Sequence, residues 1–195
     1  MNLSPRFEEA LQYAALIHAG QKRKGTGDPY LAHLLGVASI VIEYGADESQ
    51  AIAALLHDAA EDAGGRGRLE DIAARFGDDV AEMVAGCSDS MDLPKPPWRD
   101  RKEKYLAHLH KAPERVRLVS AADKLYNARA LLHLHRVQQE NVWRKFEGGR
   151  EGTLWYYHAL VQAFRRGGSN ELVEELDRVV SQLVLLAGAP LVNLV

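Results

Sequence analysis

The sequence predicts an all-α protein, a single helical bundle of about eight to ten helices. Three observations carry that expectation. Apolar residues recur at three- and four-residue intervals through most of the chain, no stretch alternates apolar and polar residues over a strand length, and capping residues stand where the periodic runs begin and end. A chain of 195 residues fits one domain with ample length for a core, so residues 1–195 are taken as one unit.

The elements follow in order. Ser4 is a good N-cap and Pro5 suits the first helical position, where a missing N–H costs nothing. Phe7, Leu11, Ala14, Ala15 and His18 then fall at helical spacing, and Gly20 is placed to end the first helix. A polar loop over 21–29 carries Lys22, Arg23 and Lys24, the densest positive charge in the chain. It leads through Tyr30 and His33 into a second helix with Val37, Ile40 and Val41 on its apolar side. Asp47 and Gln50 form a capping-box pattern for a third helix, expected to run on until Gly64 and Gly65. Residues 69–76 and 80–84 read as two short amphipathic helices divided by Gly77 and Asp78. The prolines of 93–98 exclude a helix there and predict a semi-rigid loop or lid. Residues 99–110 resume a charged helix, and Pro113 opens a long one through Val116, Leu118, Val119, Ala122, Leu125 and Leu132. Two more helices are expected over 150–165 and 171–186, the first carrying an aromatic cluster of Trp155, Tyr156, Tyr157 and Phe164 that helical spacing assigns to packing.

Composition limits the function. A net charge of −3 offers no excess of Lys and Arg for neutralising nucleic-acid phosphates, so no nucleic-acid partner is expected. Cys87 is the single cysteine, which excludes an internal disulfide and a CxxC zinc site and reads as a small buried thiol. The N-terminus lacks a signal-peptide layout, and the apolar tail over 183–195 is interrupted by Gly188 and Pro190 and falls short of the roughly 20 residues of a membrane span. The expectation is a cytoplasmic protein without a membrane partner, and the final helix and tail are free to pack on their own core or on a second copy as a homodimer.

The chemistry concentrates in 54–62, where an apolar run ends in His57 and Asp58 and an acidic pair, Glu61 and Asp62, follows a turn later. On a continuous helix His57 and Glu61 share a face, as do Asp58 and Asp62, with about 5–6 Å between Cβ atoms. Three neighbouring carboxylates raise one another's pKa unless a cation intervenes. A His and Asp donor set suits Mn²⁺, Mg²⁺, Fe²⁺ or Zn²⁺. Asp123 lies in a mostly apolar stretch, an expensive place for an unpaired carboxylate. The other histidines, His108, His110, His133, His135 and His158, are assigned to surface or packing.

His33, then His57 and Asp58, then Asp123, on separate helices, resemble the metal signature of the HD-domain phosphohydrolase superfamily. With His18, Gln21, Arg23, Lys24, Asp28, Pro29, Tyr30, Gly36, Glu61, Asp62, Phe76, Gly77 and the run 122–127, the chain is similar to the hydrolase domain of the RelA/SpoT family, and more narrowly to the stand-alone small alarmone hydrolases of the stringent response that include the animal SpoT homologue. The resemblance spans about residues 7–132. It implies a single HD-type domain that removes the 3′-pyrophosphate of (p)ppGpp to give GDP or GTP and pyrophosphate, with Mn²⁺ as the usual metal and no synthetase activity. By that resemblance His33, His57, Asp58 and Asp123 are the metal ligands, and Glu61 and Asp62 handle the attacking water. Arg23 would hold the base, Lys24 a phosphate and Asn127 the ribose side, with Lys95, Arg150 and Tyr156 or Tyr157 as further substrate contacts.

The chain also departs from the family pattern. Leu34 stands where a proline commonly follows the first metal histidine, Ala59 and Ala60 replace bulkier residues, and Cys87, Ser88 and Asp89 occupy a Val-Thr-containing stretch. These departures leave the base open, so (p)ppApp or another 3′-phosphorylated nucleotide is an alternative substrate. An HD-type nucleoside 5′-monophosphatase would use the same four ligands without needing Arg23, Lys24, Glu61 or Asp62. A nucleotide-binding regulatory module is the alternative outside enzymes.

Overall fold

Ser4 caps helix α1 (Pro5–Ile17) as its position predicts, its hydroxyl accepting the Arg6 N–H. The computed structural model describes residues 2–90 and 94–188. The 21–29 loop is pinned by an isolated antiparallel bridge between Lys22 and Pro29. It delivers the chain to α2 (Leu31–Glu43). Asp47 then caps α3 (Glu48–Leu56), with its side chain on the Gln50 N–H and the Gln50 side chain returning to the Asp47 N–H. Every residue from Ala51 to Leu56 is fully buried, as expected of a helix that is apolar all round. Helix α3 packs against α1, α2, α6 (Asp78–Cys87) and α8 (Glu114–Gln138), and so runs through the middle of the bundle.

The third helix is shorter than the sequence pattern predicts. It stops at Leu56, His57 and Asp58 form a turn, and a separate α4 (Ala59–Asp62) follows. The His57 ring Nδ1–H donates to the Ala54 carbonyl at 2.8 Å, the acceptor that the Asp58 N–H would use in a continued helix. The break turns the His57 imidazole back along α3.

Helix α5 (Gly65–Phe76) and α6 meet at Gly77, whose φ of 89° lies in the left-handed region, a conformation with little cost for glycine alone. Pro94 to Pro97 are non-helical, and α7 (Trp98–Leu109) already includes Trp98. Leu93 and residues 189–195 of the apolar tail lie outside the described residues. The long α8 packs on α2, α3, α6 and α10 (Glu171–Leu186), and a 3₁₀ segment (Gln139–Lys145) links it to α9 (Gly149–Gly167). Tyr156, Tyr157 and Phe164 of α9 are buried and Trp155 is half-buried, which agrees with packing. Cys87 is buried, and burial pushes its thiol up to about 12. Among the described residues there are ten α-helices and no named strand, and no helix is long and apolar enough to cross a membrane.

Candidate metal centre

Four side chains from three parts of the chain meet at the C-terminal end of α3. His33 comes from the first turn of α2, His57 and Asp58 follow α3, and Asp123 lies midway along α8. The His33 and His57 Nε2 atoms face each other at 3.2 Å. Asp58 Oδ2 lies 3.0 Å from His57 Nε2 and 3.4 Å from His33 Nε2. Asp123 Oδ1 lies 3.2 Å and 3.5 Å from His33 and His57 Nε2. His33, His57 and Asp58 each offer a ligand atom within 4.8 Å of the others, so they could hold a metal ion.

The geometry fits such an ion. Neighbouring ligands on an octahedral ion with bonds of about 2.1 Å lie about 3 Å apart, close to the 3.0 Å and 3.2 Å separations here. The His57 Nδ1–H bond to Ala54 leaves Nε2 with its lone pair, the arrangement of a metal-binding histidine. Electrostatics agree. Burial opposes charge on His57, yet the carboxylates of Asp58 and Asp123 outweigh it and hold its pKa well above the usual histidine value. Burial likewise opposes charge on Asp58, but His57 and hydrogen bonds from both histidines keep it well below the usual carboxylate range. Asp123 follows suit, with Lys124 the largest counter to its burial. The cluster therefore selects positive charge at its centre.

A layer of partners fixes the ligand atoms. The Tyr30 hydroxyl donates to Asp58 Oδ2 at 2.6 Å, and Lys124 Nζ donates to Asp123 Oδ2 at 2.6 Å. Asn127, one turn past Asp123, donates Nδ2–H to Asp123 Oδ1 at 2.5 Å and accepts from Arg23 Nη2 at 2.7 Å. The Arg23 guanidinium lies 5.7 Å from the Tyr30 ring centre and 5.8 Å from that of Tyr126. Tyr126 in turn packs against His33 at 5.0 Å between ring centres.

The acidic pair sits beside this centre in two different settings. Glu61 is partly buried, accepts from Lys95 Nζ at 2.8 Å and from the Asp89 N–H at 3.3 Å, and its pKa is raised by burial and then by the Asp89 charge, with Lys95 acting the other way. Asp62 is exposed and accepts from Gln21 Nε2 at 2.8 Å. Lys24 is exposed on the 21–29 loop. Tyr156 is buried among Lys124, Tyr105 and Lys102, whose Nζ lies 5.0 Å from its ring centre. Arg150 is placed elsewhere: its Nη2 donates to the Ala187 carbonyl past the end of α10 and its Nε lies 3.9 Å from Glu140.

Several participants escape a reading of the sequence. Lys124 carries a legible signal, a lysine inside an apolar helix directly after an aspartate. Gln21 and Tyr30 stand in the family motifs without an assigned role. Asp89 offers no signal, yet its carboxylate takes Arg101 Nη1 at 2.8 Å and Lys102 Nζ, and its backbone N–H supports Glu61.

Known proteins share this arrangement of sequence and fold. Residues 10–154 match the family model described as HD domain. The chain is 37% identical over 174 residues to a GTP pyrophosphokinase of Streptomyces coelicolor, covering 88% of this chain but 19% of that protein. It is 33% identical over 186 residues to the Drosophila melanogaster guanosine-3′,5′-bis(diphosphate) 3′-pyrophosphohydrolase MESH1, covering 94% of this chain and 97% of that protein. A solved structure described as a metazoan orthologue of SpoT that hydrolyses ppGpp superposes with a TM-score of 0.79 at 32% identity, over 95% of this chain and 99% of the other.

Proposed function

The chain belongs to the HD domain family, and from that premise we propose that it is a metal-dependent hydrolase that removes the 3′-pyrophosphate of (p)ppGpp, giving GDP or GTP and pyrophosphate. The observation that carries this reading is the gathering of His33, His57, Asp58 and Asp123 beside Glu61 and Asp62, in a chain similar to a stand-alone hydrolase over 97% of that protein's length. Residues 1–195 act as one HD-type domain. The GTP pyrophosphokinase it matches is covered only to 19%, and hydrolysis is the activity assigned to the matched region.

The four residues of the cluster would hold one divalent cation, Mn²⁺ by preference, with Mg²⁺, Fe²⁺ and Zn²⁺ admitted by the donor set. When bound, that ion would supply Lewis acidity towards the phosphoryl group and lower the pKa of water. Lys124 holds the outer oxygen of Asp123 so that the inner one stays aimed at the centre, and Tyr30 donates to the Asp58 oxygen that itself faces the two histidines, fixing its position. Glu61 and Asp62 orient the water and take its proton, and a proton returns to the 3′-oxygen as the phosphorus–oxygen bond breaks. Arg23 presents a guanidinium plane against which a purine can stack. Lys24 and Lys95 offer ammonium groups to the phosphates, Asn127 and Tyr156 line the ribose and phosphate side, and Arg150 would need to leave Ala187 to take part. The substrate is a small nucleotide met in the cytoplasm, by a monomer or homodimer, without nucleic acid or membrane.

The test is product analysis by anion-exchange chromatography after incubation with Mn²⁺ and, separately, ppGpp, ppApp and nucleoside 5′-monophosphates. Pyrophosphate released from ppGpp and abolished in Glu61→Ala/Asp62→Ala is the expected result. Release from ppApp alone would change the base, phosphate from the monophosphates alone would make the chain a nucleotidase, and binding without turnover would leave a regulatory module.

A further inference from the structure

The first loop holds a feature that the proposed chemistry does not use. Asp62 is exposed, and an exposed carboxylate ordinarily samples several rotamers. Here Gln21 Nε2 donates to its Oδ2 at 2.8 Å. A carboxylate only accepts, so the amide must turn its NH₂ towards Asp62 and its oxygen the other way. That oxygen lies 2.6 Å from His18 Nδ1, which makes His18 the donor and fixes its Nδ1–H tautomer. His18 is itself 4% exposed and stacked on the Tyr30 ring, with 5.3 Å between centres and 22° between planes. The Gln21 backbone is held at both ends, its N–H on the His18 carbonyl at 3.0 Å and its carbonyl on the Tyr30 N–H at 2.9 Å.

We infer that Gln21 is a positioning residue for Asp62: locked by His18 and Tyr30, its amide holds one carboxylate oxygen and turns the other towards the reacting water. The inference rests on the proposed hydrolase reading for the role of Asp62. The same Tyr30 that seats His18 also donates to Asp58, so one rigid unit aligns the proton acceptor with the metal carboxylate. A misplacement of about 1 Å in such a group costs up to about a hundredfold in rate.

The experiment compares wild type, Gln21→Met, Asp62→Asn and the double variant with ppGpp and Mn²⁺. Gln21→Met keeps the chain length of the side chain and removes only the amide. It is expected to lower kcat about tenfold while leaving KM and Mn²⁺ affinity, read by electron paramagnetic resonance, unchanged, and to have no further effect in the Asp62→Asn background. An unchanged kcat, or an equal loss in the Asp62→Asn background, overturns the inference. If wild type releases no pyrophosphate, the functional reading fails by itself, and the positioning is read in the resting protein. There the Gln21 side-chain amide protons are expected to show exchange protection in nuclear magnetic resonance that Asp62→Ala removes, and unprotected protons in wild type overturn the inference.

Discussion

Replacing Gly36 by alanine sets two known effects against each other. Gly36 lies inside α2, where alanine would ordinarily stabilise the helix by about 1 kcal/mol. A Cβ built at this position would sit 2.0 Å from Tyr126 Cε2 and 2.5 Å from its Cδ2, well inside contact distance. The ring must move, and overpacking of this kind costs about 1–3 kcal/mol. The net change expected in urea denaturation is therefore a loss of about 1 kcal/mol. The functional change is more specific. Tyr126 covers His33 and faces the Arg23 guanidinium, and a cation–π contact contributes about 0.5–1 kcal/mol at a partly exposed site. Losing it corresponds to a rise in KM for ppGpp of about two- to fivefold, with kcat less affected. A Gly36→Ala protein that is more stable by about 1 kcal/mol and keeps its KM would refute the claim that Tyr126 is wedged between α2 and Arg23.

Three other substitutions have defined outcomes. Lys95→Met removes a group that lowers the pKa of Glu61, which burial and Asp89 already raise; the carboxylate form then requires higher pH, so the acid limb of the kcat/KM profile should move upward, and a downward shift would contradict the pairing. Lys124→Met strips the buried Asp123 of its largest charge partner, a loss expected to cost about 3 kcal/mol, measurable by denaturation with and without Mn²⁺. Asp47→Ala breaks the capping box of α3 and the 2.9 Å contact with Arg115; it should lower stability by about 1 kcal/mol with activity unchanged, and a kcat effect would show that the far end of α3 reports to the site.

The parts of this molecule that can be read from sequence are those fixed by neighbours along the chain. Ser4, Asp47 and Gln50 cap helices through bonds spanning two or three residues, and the burial of Asp123 follows from the apolar residues around it on one helix. His33, His57, Asp58 and Asp123 are legible as a set only through the family resemblance, since a lone histidine such as His33 carries no metal signal by itself. The break at His57 is not, because it depends on the ring choosing the Ala54 carbonyl over water. Nor are the pairings of Glu61 with Lys95 and of Arg23 with Asn127, which join residues 34 and 104 positions apart. Such contacts depend on how helices are rotated against one another, and a pattern of apolar residues defines that rotation only coarsely. Arg150 belongs with them: its guanidinium donates to the carbonyl of Ala187, a partner 37 positions away that no local pattern announces.

With Arg23 holding the base and Asp123 the cation, as proposed above, the short chain of hydrogen bonds from Arg23 through Asn127 to Asp123 would make two binding events thermodynamically interdependent. A nucleobase that draws the guanidinium away from Asn127 frees that amide, and the amide is a donor to the same oxygen that faces the two histidines. Occupancy of the base position and affinity for the cation are thus two views of a single coupling energy, and linkage requires each to change the other by the same factor. An enzyme wired in this way would hold its cation with one strength when empty and another when loaded, so the free concentration of that cation in its surroundings would set how tightly the nucleotide is held as well as how fast it is cleaved.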